Sequence, residues 1–308
     1  MTHEQFLKNL SVPTGRVDVI LDTDTFNEAD DQVALAYMLK SEDRLNIKGI
    51  CAAPYSGPGK VDDPAEGVVN SYNEIFNILK LAKREDMNDK VYMGSKTYLP
   101  DEKTPVESPA ADFMAELANG YSPESPLYII AIGAITNVAS AILKNPTIKE
   151  NCVIVWLGGH AFHMPETNEY NMRQDIAAAR IVFDCGVPLV QLPCLGVVSE
   201  FATSEWELRH WLGGKNDLCD YLIYKLVKKG ETIGPGQPWA KPLWDVTAIG
   251  WLLNDKNKFM SSEIVHAPIP QYDMHYSHDN TRHFMRYIYR INRNNLMEDL
   301  FGKLVDFE

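Results

Sequence analysis

The segment Asp22-Thr23-Asp24-Thr25-Phe26-Asn27-Glu28-Ala29-Asp30-Asp31 gathers four aspartates and a glutamate within ten residues. Part of it has a plain structural use: Asp30 can cap the helix that follows, and the rest can be a solvated turn. The residues just before it argue for more. Val17–Leu21 is a continuous aliphatic run of the kind that forms a strand buried on both faces, so the carboxylates are delivered to the end of a buried strand. Like charges gathered there repel one another unless a cation neutralises them, and clustered carboxylate oxygens suit hard Ca²⁺ or Mg²⁺. Further candidates stand at Asn168-Glu169-Tyr170-Asn171, at Trp244-Asp245, and in the pairs His160-x-x-His163 and His275-x-x-His278. Taken alone, Glu169 and Asn171 read as a loop cap. The histidine pairs lack a third soft ligand at useful spacing, which speaks against zinc.

The elements that must position these residues follow a repeated cycle. Val17–Leu21 leads into a helix at Asp31–Lys40, Ile47–Ala52 into one at Glu66–Arg84, Leu127–Ile132 into one at Asn137–Lys144, and Cys152–Leu157 into one at Asp175–Phe183. Val187–Leu192 is a further strand. Aliphatic runs separated by helices of this length predict an α/β fold: a mostly parallel, Rossmann-like sheet with helices on both faces. Loop signals at Pro54–Pro64, Leu99–Pro109, Pro165–Asn168, Gly230–Pro242 and Ala267–Arg282 do not separate segments of different composition, so one domain is expected over 1–308. In such sheets ligands bind beyond the carboxyl ends of the strands, which is where the polar candidates fall.

Composition narrows the function classes. The 308 residues are 45% hydrophobic and 23% charged, with a net charge of −13, which excludes a disordered chain or a disulfide scaffold. That negative surface repels phosphate backbones and anionic lipid, so neither nucleic acid nor membrane is expected as a partner. The N-terminus lacks the basic and apolar regions of a signal peptide, and the most apolar stretch, Pro126–Leu143, is interrupted by Gly133, Thr136, Asn137 and Ser140. Five widely spaced cysteines without a C-x-x-C pair read as reduced, buried thiols, and a cytoplasmic location is expected. No Gly-x-Gly-x-x-Gly, P-loop or nucleophile elbow occurs.

An Asp-x-Asp after the first strand also marks phosphatases of the haloacid-dehalogenase type, but Phe26 stands where that motif wants a small β-branched residue. A longer ordered set resembles the nucleoside hydrolase family, the inosine- and uridine-preferring N-ribohydrolases. It comprises Asp22-x-Asp24 with Asp30-Asp31, Val91-Tyr92-Met93-Gly94 with Leu99-Pro100, Ala131-Ile132-Gly133-Ala134-Ile135-Thr136-Asn137, Leu157-Gly158-Gly159, Asn168-Glu169-Tyr170-Asn171 with Asp175, and Trp244-Asp245.

The resemblance implies a Ca²⁺ site made by Asp24, Asp31, Asp245 and the main-chain carbonyl of Thr136, completed by a water and two ribose hydroxyls. It implies that Asp24 takes a proton from the attacking water as general base. The ribose would be held by Asp30 at the 2′-hydroxyl, Asn171 and Asp245 at the 3′-hydroxyl and Glu169 at the 5′-hydroxyl, with His163 nearby; Asp22 would be structural. Trp244, Phe26, Trp239 and His160 are candidate contacts for the leaving base.

This sequence departs from the family pattern at four places. The turn from Asp24 to Asp30 is two residues longer, Ser56 and His163 stand where asparagines are expected, and Trp244 replaces a histidine. An indole can stack on a base but cannot protonate one. The implied function is calcium-dependent hydrolysis of ribonucleosides by a homodimer or homotetramer acting on small-molecule substrates. The alternatives are hydrolysis of another ribosyl conjugate on the same metal site, and a catalytically silent ribose- or nucleoside-binding protein.

Overall fold

The computed structural model describes residues 1–233 and 235–307. Its centre is an eight-stranded sheet built from β1 (Val17–Thr23), β2 (Leu45–Ala52), β3 (Val91–Tyr92), β4 (Leu127–Ala131), β5 (Cys152–Leu157), β6 (Leu189–Leu192), β7 (Met260–His266) and β8 (Phe284–Ile291). The spatial order is β3-β2-β1-β4-β5-β6-β8-β7. All neighbours pair in parallel except β7, which lies antiparallel to β8 at the edge. The expected parallel α/β sheet is therefore present, widened by the short β3 at one edge and by two C-terminal strands at the other.

The helices in chain order are α1 (His3–Asn9), α2 (Asp30–Leu39), α3 (Pro64–Leu81), α4 (Pro109–Leu117), α5 (Thr136–Lys144), α6 (Ile148–Asn151), α7 (Tyr170–Gln174), α8 (Ile176–Asp184), α9 (Glu205–Leu212), α10 (Asp217–Ile233), α11 (Val246–Leu252) and α12 (Arg293–Val305). Successive strand residues point to opposite faces, and the aliphatic runs supply apolar side chains to both. Val19 and Leu21 join Ile130, Val153 and Val155 beneath α2, α3, α10, α11 and α12. Ile20 joins Ile129, Ile154 and Trp156 beneath α4, α5 and α8.

Several expected boundaries shift for identifiable reasons. Asp30 is not a helix cap: α2 begins at Asp30 itself, its N-cap is Ala29, and no side chain caps it. The helix expected at Asp175–Phe183 is present as α8 and starts one residue later, because Asp175 leaves helical geometry and caps it by accepting from the Ala178 amide at 3.0 Å. Of the expected loop Gly230–Pro242, Gly234 lies outside the described residues, α10 continues to Ile233, and Lys241–Pro242 pairs with Ala202–Thr203 as a short ribbon. Within Ala267–Arg282, Ile269–Pro270 and Tyr276–Ser277 form another. Four cysteines are buried and Cys185 is half-buried; all are free. No helix among the described residues is long and apolar enough to cross a membrane.

The chain runs from β1 outward through β2 to β3, then returns to place β4 on the other side of β1. Connections after β1 and β4 therefore leave in opposite directions and open a crevice at the carboxyl ends of these two strands. Asn137, at the start of α5, pins the floor of that crevice. Its Nδ2 donates to Asp22 Oδ1 (2.8 Å) and to the Ala52 carbonyl (3.0 Å), and its Oδ1 accepts from the Ser95 amide (2.8 Å) and hydroxyl (2.9 Å).

Candidate active site

Beyond these strand ends lies a cavity of about 280 Å³ whose lining includes Asp24, Asp31, Asp245, Glu169, Asn171, His160 and Trp244. Asn27, Glu28, Tyr170, Arg173, Cys194 and Leu195 complete much of the remaining wall. Seven side chains named from sequence thus meet in one place.

The aspartates form its base and all are buried. One oxygen each from Asp30, Asp31 and Asp245 lies within 4.8 Å of the others. Asp30 is not among the cavity-lining residues: its Oδ1 accepts from Lys241 Nζ at 3.0 Å and its Oδ2 from the Asp245 amide at 3.4 Å. Asp31 Oδ1 accepts from the Thr23 hydroxyl at 2.8 Å, and Asp24 Oδ2 accepts from Asn27 Nδ2 at 2.7 Å. Burial pushes Asp24 up to about 7, against the opposing pull of Lys60. Burial, reinforced by the neighbouring aspartates, holds Asp31 and Asp245 well above the usual carboxylate range. Four buried carboxylates with one ammonium among them, three of them facing a cavity, form a donor set suited to a hard divalent cation.

Glu28 behaves in the opposite way. Burial alone would raise it, but the ammonium groups of Lys241, Lys60 and Lys229 prevail and bring it down to about 2. Lys241 is itself buried, and its charge is sustained by Asp30 and Glu28 in spite of burial.

The ribose-side candidates are held by strand ends. Gly159 adopts φ +74°, a conformation that favours glycine, and directs its amide to Glu169 Oε2 at 3.0 Å. Glu169 also caps α7, accepting from the Asn171 and Met172 amides, each at 2.9 Å. The cap expected for this residue is thus combined with a place on the cavity wall. Asn171 Nδ2 donates to the carbonyls of Ile132 and Leu157, both at 3.1 Å, at the ends of β4 and β5. That arrangement commits the amide nitrogen to the sheet and leaves the amide oxygen outside those bonds.

Other candidates are placed elsewhere. Thr136 is buried as the first residue of α5, its hydroxyl donating to Asp175 at 2.6 Å. His163 is exposed beside Gly196. Phe26 is 45% exposed with Lys225 Nζ 4.6 Å above its ring, and Trp239 packs against Gly230 of α10. These four, with Asp30, are outside the cavity lining. His160 is on the wall; its Nδ1 accepts from the Leu195 amide at 3.3 Å, and burial lowers its pKa. Ser56 is tied to Tyr98, Gln174 and Tyr170 rather than to the cavity.

Sequence reasoning missed Lys241 and gave no partner to Asn27 or Glu28. A lysine between alanine and proline carries no pattern that marks it as buried, and only the fold shows that β1's turn lies against it. Tyr170 and Arg173 are also on the wall, with Lys60 Nζ 4.0 Å and Arg173 Cζ 5.0 Å from the Tyr170 ring centre.

A parallel α/β sheet with carboxylates gathered at its switch point defines the general class of protein, an α/β protein with a crevice for a small ligand. The model of the inosine-uridine preferring nucleoside hydrolase family matches residues 19–285, and the chain belongs to that family of N-glycosyl hydrolases. It is 27% identical over 226 residues to a probable uridine nucleosidase 2 of Arabidopsis thaliana, spanning 67% of this chain and 68% of that one. The fold matches a plant nucleoside hydrolase with TM-score 0.73 at 21% identity, covering 96% of this chain and 100% of the other. It also matches a purine-preferring ribonucleoside hydrolase from Gardnerella vaginalis with TM-score 0.74 at 20% identity, covering 94% and 98%.

Proposed function

We propose that this enzyme hydrolyses the N-glycosidic bond of ribonucleosides, releasing ribose and a free base, with Ca²⁺ as its resident metal. The observation that carries this reading is the convergence of Asp24, Asp31 and Asp245 on one cavity that also exposes Glu169 and Asn171. Asp24, Asp31 and Asp245 would hold the cation, with the Thr136 carbonyl as the resemblance implies. When bound, it supplies a positive charge that offsets the buried carboxylates, receives the sugar diol and acidifies the attacking water.

The chain's own residues do the rest. Asp24 accepts the proton of the attacking water at its carboxylate, and Asn27 fixes that carboxylate by donating to Oδ2. As the C1′–N bond breaks, positive charge grows on the sugar ring, and the buried carboxylates stabilise it. Asn171 and Glu169 orient the sugar hydroxyls from rigid positions at the ends of β4 and β5. Lys241 holds Asp30 in the layer behind these groups. Trp244 offers the departing base an aromatic face and no proton, so the base leaves with the bonding electron pair as its anion and takes its proton from solvent water.

Replacing Asp24 by Asn separates hydrolysis from binding alone. A hydrolase loses free-base release by about two to four orders of magnitude, the range expected for a positioned base. A binding protein shows no release in either form and only weaker nucleoside affinity in the variant, and that result would overturn the reading. A cytoplasmic homodimer or homotetramer fits this reading of the chain.

A further inference from the structure

Resting on the nucleoside hydrolase reading, we propose that Glu28 selects the leaving base by accepting an N–H donor from its edge. The observation is three ammonium groups from separate parts of the chain around one carboxylate on the cavity wall. Lys60, in the loop before α3, approaches Oε1 at 3.1 Å, and Lys229 of α10 approaches the same oxygen at 3.0 Å. Lys241, three residues before Trp244, approaches Oε2 at 3.4 Å.

Tethering a turn needs one such contact; three from different directions fix both the charge and the orientation of the carboxylate. A carboxylate offers about four lone-pair positions, so two ammonium groups on Oε1 and one on Oε2 leave one position on Oε2 open. Glu28 and Trp244 line the same cavity. An aromatic face for the ring and a fixed acceptor for its edge form a base-reading pair. Among three cations this carboxylate does not serve as the proton donor to the leaving group.

The chemistry predicts discrimination between bases that carry such a donor and close analogues that lack it. Adenine offers its amino group and hypoxanthine its N1–H, whereas unsubstituted purine offers neither on that edge. A site built around an acceptor rejects the analogue that leaves it unpaired.

The test measures kcat/KM of the calcium-loaded enzyme for adenosine and inosine against purine riboside, and for uridine against 3-methyluridine. The ratio of donor-bearing to donor-lacking substrate is compared between the wild type and the Glu28→Ala and Glu28→Gln variants. The glutamine variant keeps the side chain's size, and with Lys60 and Lys229 on its amide oxygen its NH2 replaces Oε2, the acceptor offered to the base, by a donor. The expected result is at least a tenfold fall in the ratio for the preferred base in both variants. A ratio unchanged within twofold, with wild-type hydrolysis intact, overturns the role of Glu28 and leaves the hydrolase reading standing. Absence of base release from every nucleoside overturns the hydrolase reading and this assignment with it.

Discussion

Asn27 stands between Lys60, which donates to its side-chain oxygen, and Asp24, which accepts from its nitrogen at 2.7 Å. It is therefore a positioning residue for the proposed base, supplied by the turn that is longer than the family spacing. In Asn27→Ala the carboxylate loses that donor and one orientation becomes several. We expect kcat to fall about tenfold, roughly 1.4 kcal/mol, with little change in KM. Steady-state base release checks this, and an unchanged kcat would contradict it. At this scale the sequence was readable where polar residues directly follow buried strands. Asp24 could be placed because a residue leaving such a strand enters the crevice, whereas Glu169 and Asn171, twelve and fourteen residues beyond β5, were placed only by the family resemblance. Lys241 could not, since its burial depends on two segments more than 200 positions apart meeting in space, as its bond to Asp30 shows.

Elements position these side chains by closing their own hydrogen-bonding needs against one another. Asn137 is the clearest instance: one amide ties β1, β2, α5 and the segment after β3 together through four bonds. Removing it leaves Asp22, already without a partner at Oδ2, buried and unpaired. Asn137→Ala should lower stability by about 3 kcal/mol, read as a shift in the urea midpoint. A loss below about 0.5 kcal/mol would show that the network is not what holds the crevice floor. Five of the first six strands were legible because each is an aliphatic run bounded by turn residues, and β5 was located to the residue; β3, only Val91–Tyr92, was not. Strands β7 and β8 were harder: they mix charged and apolar residues, as MSSEIVH and FMRYIYRI show, because the edge of the sheet faces solvent on one side. The ribbons at Lys241–Pro242 and Tyr276–Ser277 are two residues long per strand and leave no periodic trace.

Across the whole molecule, a net charge of −13 and a buried knot of carboxylates both oppose the compact state. A cation that binds only the folded chain offsets this, by about 2.7 kcal/mol at a hundredfold excess over its dissociation constant. For a chain of this size that is a rise of about 4 °C in melting temperature. Asp31→Asn removes one of the repelling charges and one metal ligand together. Its melting temperature without calcium should equal or exceed that of the wild type, and the calcium-induced rise should vanish. Differential scanning calorimetry with and without calcium decides this; a full calcium-induced rise in the variant would remove Asp31 from the metal site.

The central claim is that metal, base and sugar contacts act together to cut a ribosyl bond. Its most direct test follows free base released from inosine, adenosine, guanosine, cytidine and uridine by purified enzyme, before and after chelation and again after adding back calcium. The account predicts release from at least one nucleoside that stops on chelation and returns with calcium. Release that continues undiminished in the metal-free enzyme would contradict it.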